Sequence, residues 1–223
     1  MTHRLVLINP NFQGSITRVA QTSVGPPLGL AYLASACRKA GVADVTIVDA
    51  NVHALSTEET VARVLDLAPD VVGLTATTPT IALAGEVAAA IKSRRPSVPI
   101  LVGGPHSTAL PERTLRELPA FDLVLRGEGE ELLPRLIPLL VAGDWIGVQG
   151  HTGVAFLNLD DTCVDTGIAH TIADLDVLPF PARDLLPMLD YRCPDSDSFT
   201  TLLAMRGCPY NCVYCAVPTT HGK

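Results

Sequence analysis

Apolar and polar positions alternate along the first 143 residues with two periods. Short apolar runs at Arg4–Ile8, Val45–Val48, Asp70–Thr75, Pro99–Val102 and Leu123–Leu125 read as buried strands. Between them lie stretches with helical spacing. Leu28–Ala40 is closed by Gly41, and the capping box Ser56-Thr57-Glu58-Glu59 opens a helix to about Leu67. The Ala-rich Thr80–Arg94, then Pro111–Leu118 and Glu130–Val141, complete the set. Five strands each followed by a helix predict a parallel sheet covered on both faces, joined by right-handed crossovers. The length favours a flavodoxin-like, Rossmann-like α/β fold with strand order 2-1-3-4-5. Ligands of such sheets sit beyond the carboxyl ends of the strands. The Gly-, Pro- and Thr-rich loops fall there: Asn9–Leu28, Thr75–Thr80, Gly103–Thr108 and Arg126–Gly129.

After Gly143 the pattern shortens. Ile146–Gln149, Val154–Asn158 and Thr162–Thr166 predict a small β meander. Asp174–Pro187 is punctuated by Pro179, Pro181 and Pro187 and reads as an extended linker. Phe199–Met205 predicts a new strand running into a cysteine cluster. The organisation expected is therefore an α/β domain over 1–143, meander and linker over 144–198, and the start of another domain over 199–223.

Composition narrows the function. The 223 residues are 48% hydrophobic and 17% charged, enough for a buried core and unlike a disordered chain. Lys and Arg number 16 against 23 Asp and Glu, a net charge of -7, and only 4% of residues are aromatic. An acidic surface without stacking rings argues against nucleic acid as a partner. No apolar run approaches the roughly 20 residues of a membrane span. The first apolar run ends at Asn9-Pro10, too early for a secretory leader, so a cytoplasmic location is expected.

Of six cysteines, three lie within eight residues, in Arg206-Gly207-Cys208-Pro209-Tyr210-Asn211-Cys212-Val213-Tyr214-Cys215. In a reducing compartment this clustering indicates metal rather than disulfides. Three soft thiolates at C-x3-C-x2-C spacing can hold three corners of an iron–sulfur cubane and leave one iron open to a chelating ligand. The alternative is a zinc knuckle completed by Cys193 or His221, although zinc sites commonly use paired C-x2-C units and no second pair is present. Cys37 fits the apolar face of a helix, and no role is assigned to Cys163 or Cys193.

The Cys208, Cys212 and Cys215 loop resembles that of the radical S-adenosylmethionine superfamily, where it follows the first strand of a (β/α) barrel. The resemblance implies a [4Fe-4S] cluster on these cysteines, S-adenosylmethionine chelating the open iron, and reductive cleavage to a 5'-deoxyadenosyl radical. It places Tyr214 beside the adenine and implies an electron donor such as a flavodoxin or ferredoxin.

The preceding domain departs from other nucleotide and signalling folds. A phosphoacceptor receiver needs acidic residues, an Asp and a Lys where this chain has Asn9-Pro10-Asn11, Thr75 and Arg126. The first loop offers Gly25-Pro26-Pro27-Leu28-Gly29, which is no dinucleotide fingerprint, and there is no Walker loop. A flavin is not excluded by motif. With the cysteine loop downstream, the domain is similar to the cobalamin-binding domain of cobalamin-dependent radical enzymes. The pieces that carry this are Pro26-Pro27-Leu28-Gly29-Leu30, Gly73-Leu74-Thr75, Gly103-Gly104-Pro105-His106-Ser107-Thr108, Arg126-Gly127-Glu128-Gly129-Glu130 and Leu178-Pro179-Phe180-Pro181-Ala182-Arg183-Asp184-Leu185. The resemblance implies cobalamin contacts at Leu28, Gly29, Thr75, Thr77, Thr78, Gly103, Gly104, Pro105, His106, Gly127 and Glu128. Small residues would let the nucleotide tail slide between strands and helices, and the threonines would offer hydroxyls. The plainer readings are tight turns for the glycines, solvated hydroxyls for the threonines, and helix capping for Glu128 and Glu130.

Many cobalamin proteins ligate cobalt through a D-x-H-x-x-G loop. Here Asp49-Ala50-Asn51-Val52-His53 has the wrong spacing, so His53 is expected to be an ordinary loop residue and cobalamin to bind base-off without a protein imidazole. The family resemblance implies methylation of an unactivated carbon, or an oxidative ring closure, on a small-molecule substrate. The alternative is a non-catalytic cobalamin- or small-ligand-binding module with a structural metal. A (β/α) barrel needs about 200 residues, so this chain by itself is expected to bind cobalamin without turnover.

Overall fold

A computed structural model describes residues 2–12, 24–193, 196, 199–210, 212–220 and 222. Among them runs one seven-stranded sheet, formed by β1 (His3–Asn9), β2 (Ala43–Asp49), β3 (Val71–Thr75), β4 (Ile100–Gly103), β5 (Leu123–Leu125), β6 (Val154–Leu157) and β7 (Cys163–Asp165). The order is β2-β1-β3-β4-β5-β6-β7. The first five strands are parallel and in the expected order, and β6 and β7 continue the same sheet antiparallel from β5.

The two faces of the sheet follow from period-2 alternation. Leu5 and Leu7 of β1 point to one core with Leu101, Leu123 and Leu125, whereas Val6, Ile8, Val72, Leu74, Ile100, Val102 and Val124 point to the other. On the first face lie α1 (Leu28–Ala40) and α6 (Leu133–Ala142); on the second lie α2 (Thr57–Asp66), α3 (Ile81–Arg94) and α5 (Pro111–Glu117). Local chemistry sets the helix ends. Gly41 stops α1 in the left-handed conformation at φ +67°. At α2 the Ser56 hydroxyl accepts from Glu59 N at 3.2 Å and the Glu59 carboxylate accepts from Ser56 N at 2.8 Å. These bonds from Ser56 hold the Glu59 carboxyl below its ordinary pKa.

Four expectations are corrected. The run at 146–149 is helical, forming α7 (Trp145–Gln149), because the Asp144 carboxylate caps Gly147 N at 2.8 Å and only Val148 of the turn is buried. A short turn, α4 (Pro105–Ala109), follows β4 directly. Residues 130–132 are turn rather than helix, so Glu128 and Glu130 precede α6 by several residues and do not cap it. Phe199–Met205 forms no strand, since no neighbouring strand offers it a ladder among the described residues.

The proline-rich segment is not extended throughout, since single 3-10 turns form at Leu175–Val177 and Arg183–Leu185, and it is firmly docked. Ala182 N donates to Ala31 O at 3.0 Å, Arg38 pairs with Asp184 at 2.7 Å, and Lys39 reaches the Val177 carbonyl at 2.9 Å. Ala182, Leu186 and Tyr191 enter the first core. The Tyr191 hydroxyl donates to buried Asp49 at 2.7 Å, and Asp49 also accepts from the Asn9 amide at 2.8 Å and from Asn51 N at 3.1 Å. Asp49 is thereby an anchor for the first two strand-end loops and the linker. The middle of the first loop, 13–23, lies outside the described residues.

Candidate functional site

Side chains on the first face of the sheet shrink toward its carboxyl edge. Beside Leu7, and following the alternation past Leu101 and Leu125, the positions on this face are Gly73 and Thr75 in β3, Gly103 at the end of β4 and Gly127 after β5. Across from them, the first turn of α1 presents Gly29, where an added Cβ would meet nothing within 4 Å. At this edge small residues of the sheet and of the helix leave space between sheet and helices. A cavity of about 180 Å³ opens between them, walled by Leu7, Leu30, Leu33, Leu101, Leu125 and Leu133 and floored by Gly73, Gly103 and Gly104. Its shape is a slot with leucine walls, open at the strand ends.

The rim is polar. Gly104 turns the chain at φ +102°, and a Cβ there would lie 2.6 Å from the Ala76 carbonyl, so only glycine fits. That turn leads into α4, where His106 Nδ1 lies 3.1 Å from the Thr78 hydroxyl of the loop after β3. Burial first, and then the Arg113 charge, lowers the His106 pKa below its ordinary value. Thr77 is tied to Thr80 through its backbone N at 2.9 Å. Buried Thr108 accepts from Gly127 N at 3.2 Å, joining the β4 and β5 loops.

One charged cluster faces the slot. Arg206 reaches back from the cysteine-bearing segment to Glu128 at 3.5 Å and Glu130 at 2.5 Å, with its guanidinium 5.3 Å from the Tyr32 ring centre. The three side chains are 10%, 2% and 6% exposed. Burial opposes the Arg206 charge, but the bonds and charges of Glu130 and Glu128 outweigh it and raise its pKa above the usual value. Ile172 N also donates to Glu128 at 2.7 Å.

Residues 14–137 match the B12 binding domain family. The chain belongs to that family. An uncharacterized methyltransferase of Pyrococcus horikoshii is 37% identical over 99% of this chain and 46% of its own length. The anaerobic magnesium-protoporphyrin IX monomethyl ester cyclase of Cereibacter sphaeroides is 32% identical over 96% of this chain and 34% of its own. The chain therefore spans less than half the length of these relatives. A similar solved structure is that of the cobalamin-dependent S-adenosylmethionine radical enzyme OxsB with aqua-cobalamin and S-adenosylmethionine bound. Its TM-score is 0.70 at 23% identity, covering 83% of this chain and 25% of that one, and it shares the fold.

Within this B12-binding domain, the slot gathers Gly29, Thr75, Gly103, Gly104, Gly127 and Glu128 of the expected residues. Thr77, Thr78, Pro105 and His106 lie outside the lining, in the loops that continue from Thr75 and Gly104, and Leu28 lies outside it as well, one residue before Gly29. Sequence reasoning missed the leucine walls and Arg206. The leucines were legible as core, but nothing in their spacing distinguishes lining a slot from filling one. His53 lies in the loop after β2 with Nε2 2.9 Å from the Asp190 carboxylate, and Cys37 is fully buried, its thiol pushed up to about 12 by burial. Cys208 and Cys215 are partly exposed and Cys212 is exposed on one loop, with Cys215 N bonded to Cys212 O at 3.0 Å. No three metal-ligating side chains converge among the described residues. Tyr214 is exposed, and Asn211 and His221 lie outside the described residues. No helix among the described residues is long and apolar enough to cross a membrane.

Proposed function

We propose that this chain is the cobalamin-binding part of a radical S-adenosylmethionine enzyme that methylates an unactivated carbon of a small molecule. The observation that carries the reading is the glycine-floored slot at the strand ends, followed on the same chain by C-x3-C-x2-C. A flat, apolar bicyclic group such as the dimethylbenzimidazole of a base-off tail suits a slot walled by leucines and opened by Gly29, Gly73 and Gly103. Thr75 and, in the loops beyond the lining, Thr77, Thr78 and His106 supply hydroxyl and imidazole groups for the ribose and phosphate. Pro105 fixes the start of α4, and Gly127 and Glu128 close the slot from the β5 side. His53 is occupied by Asp190, which supports a cobalt face without a protein imidazole.

When bound, cobalamin supplies a methyl carrier and a [4Fe-4S] cluster with S-adenosylmethionine supplies one-electron chemistry. Cys208, Cys212 and Cys215 would hold that cluster, exposed Tyr214 would present its ring to the adenine, and a flavodoxin- or ferredoxin-type protein would deliver the electron. Oxidative ring formation is the second reading, favoured by the 32% identical relative named as a cyclase.

Anaerobic reconstitution with iron and sulfide, followed by desalting with aquacobalamin, tests the proposal. Iron and sulfide in equal amounts that are lost in Cys212→Ala, together with retained cobalamin whose Co(II) spectrum lacks nitrogen superhyperfine splitting, are expected. Zinc in place of iron would make the protein a binding module with a structural metal, and cobalamin that washes through would overturn the reading.

A further inference from the structure

We propose that Arg206 is a positioning residue that couples the seating of the cysteine loop to the filling of the slot. The inference rests on the cobalamin reading of the slot and goes beyond it. Arg206 stands two residues before Cys208, on a segment whose Leu202 and Met205 are largely exposed. Elsewhere that segment is held by Arg183, whose guanidinium donates to the Thr201 carbonyl at 2.7 Å. The Arg206 side chain runs inward, is almost fully buried, and forms part of the slot lining.

Its two carboxylate partners belong to the loop after β5, the loop whose Gly127 and Gly129 also line the slot. That loop is tightly fitted. A Cβ at Gly129 would lie 2.7 Å from Leu125 and 2.9 Å from Leu33, and Gly127 holds φ +82°. A group entering the slot therefore meets the guanidinium and the loop that grips it. Two buried carboxylates facing one another without that guanidinium repel, and the loop that carries them has to move. Because the slot and the cysteine segment share these side chains, stabilising either arrangement stabilises the other, and the linkage runs in both directions. A lysine, as a point charge, cannot bridge both carboxylates as the planar guanidinium does.

Hydrogen exchange and equilibrium dialysis of the full chain with aquacobalamin test this. Aquacobalamin is expected to slow exchange over residues 199–210 in the wild type. Arg206→Gln is expected to weaken aquacobalamin binding by about tenfold and to abolish that slowing, with Arg206→Lys intermediate. The charge-relieved pair Arg206→Gln with Glu130→Gln guards against misfolding. It is expected to restore the wild-type melting temperature without restoring the coupled protection. Wild-type affinity and wild-type protection in both Gln variants would overturn the coupling alone. A wild-type chain that retains no aquacobalamin would overturn the reading beneath it as well.

Discussion

Two glycines that line the slot, Gly29 and Gly104, and His106 two residues beyond Gly104, each carry a separable expectation. At Gly29 an added Cβ meets open space, so Gly29→Ala is expected to keep or raise stability by up to about 0.5 kcal/mol through helix propensity. Gly29→Leu, which pushes a side chain into the slot, is expected to fold yet lose the ligand; thermal melts beside dialysis separate the two effects. Gly104 behaves oppositely. Its φ of +102° and the Ala76 carbonyl 2.6 Å from an added Cβ make Gly104→Ala cost about 1–3 kcal/mol, read as a lowered denaturant midpoint. Burial, and then the Arg113 charge, lower the pKa of His106. With its folded pKa below the unfolded value of about 6.5, it contributes stability above that pH and loses it as pH falls through the folded pKa. Imidazole resonances that titrate below the free value bear this out, and titration at or above it contradicts the placement.

At the scale of elements, the linker and the strand ends form one unit. Tyr191 donates its hydroxyl to Asp49, and burial, reinforced by the Asp49 charge, raises the Tyr191 pKa well above its ordinary value. That protonated donor stabilises the fold below about pH 10 and is lost as pH rises toward the folded pKa. Tyr191→Phe is expected to cost about 1–2 kcal/mol and to speed exchange at Ala182 and Arg192, the backbone groups that dock the linker on α1 and Val24. Unchanged stability would mean that the linker is held without the Tyr191–Asp49 bond, by its packing and its contacts with α1. The elements legible in the sequence are those whose signals are local: the Ser56 capping box, Gly41 and the buried strand runs. The helix at 145–149 escapes a reading by pattern because a short apolar run has no decisive period and its cap, Asp144, lies just before it. The continuation of the sheet by β6 and β7 depends on pairing with β5, which spacing along the chain does not reveal. The Arg206 contacts with Glu128 and Glu130 join residues more than seventy positions apart, so a motif that contains Arg206 gives no sign of its role at the slot.

At the scale of the molecule, the parallel sheet sets which face carries the slot and which is filled. The second face packs Val, Ile and Ala against α2, α3 and α5, while the first loses side-chain volume only at its carboxyl edge. The exposed cysteine loop is connected to that edge through Arg206. The chain is a B12-binding domain, and the central proposal is that the slot accommodates the nucleotide tail of cobalamin, a reading supported by the slot's leucine walls and glycine floor. Burying a bicyclic aromatic of roughly 150 Å² at about 25 cal/mol per Å² is worth about 4 kcal/mol before ordering costs. The most direct measurement compares the dissociation constants of aquacobalamin and of diaquacobinamide, which lacks the tail, for the wild type and for Gly29→Leu. The account predicts that cobalamin binds the wild type about 100-fold tighter and that this preference collapses in Gly29→Leu while cobinamide binding is unchanged. Equal affinity of the wild type for the two corrinoids would contradict it.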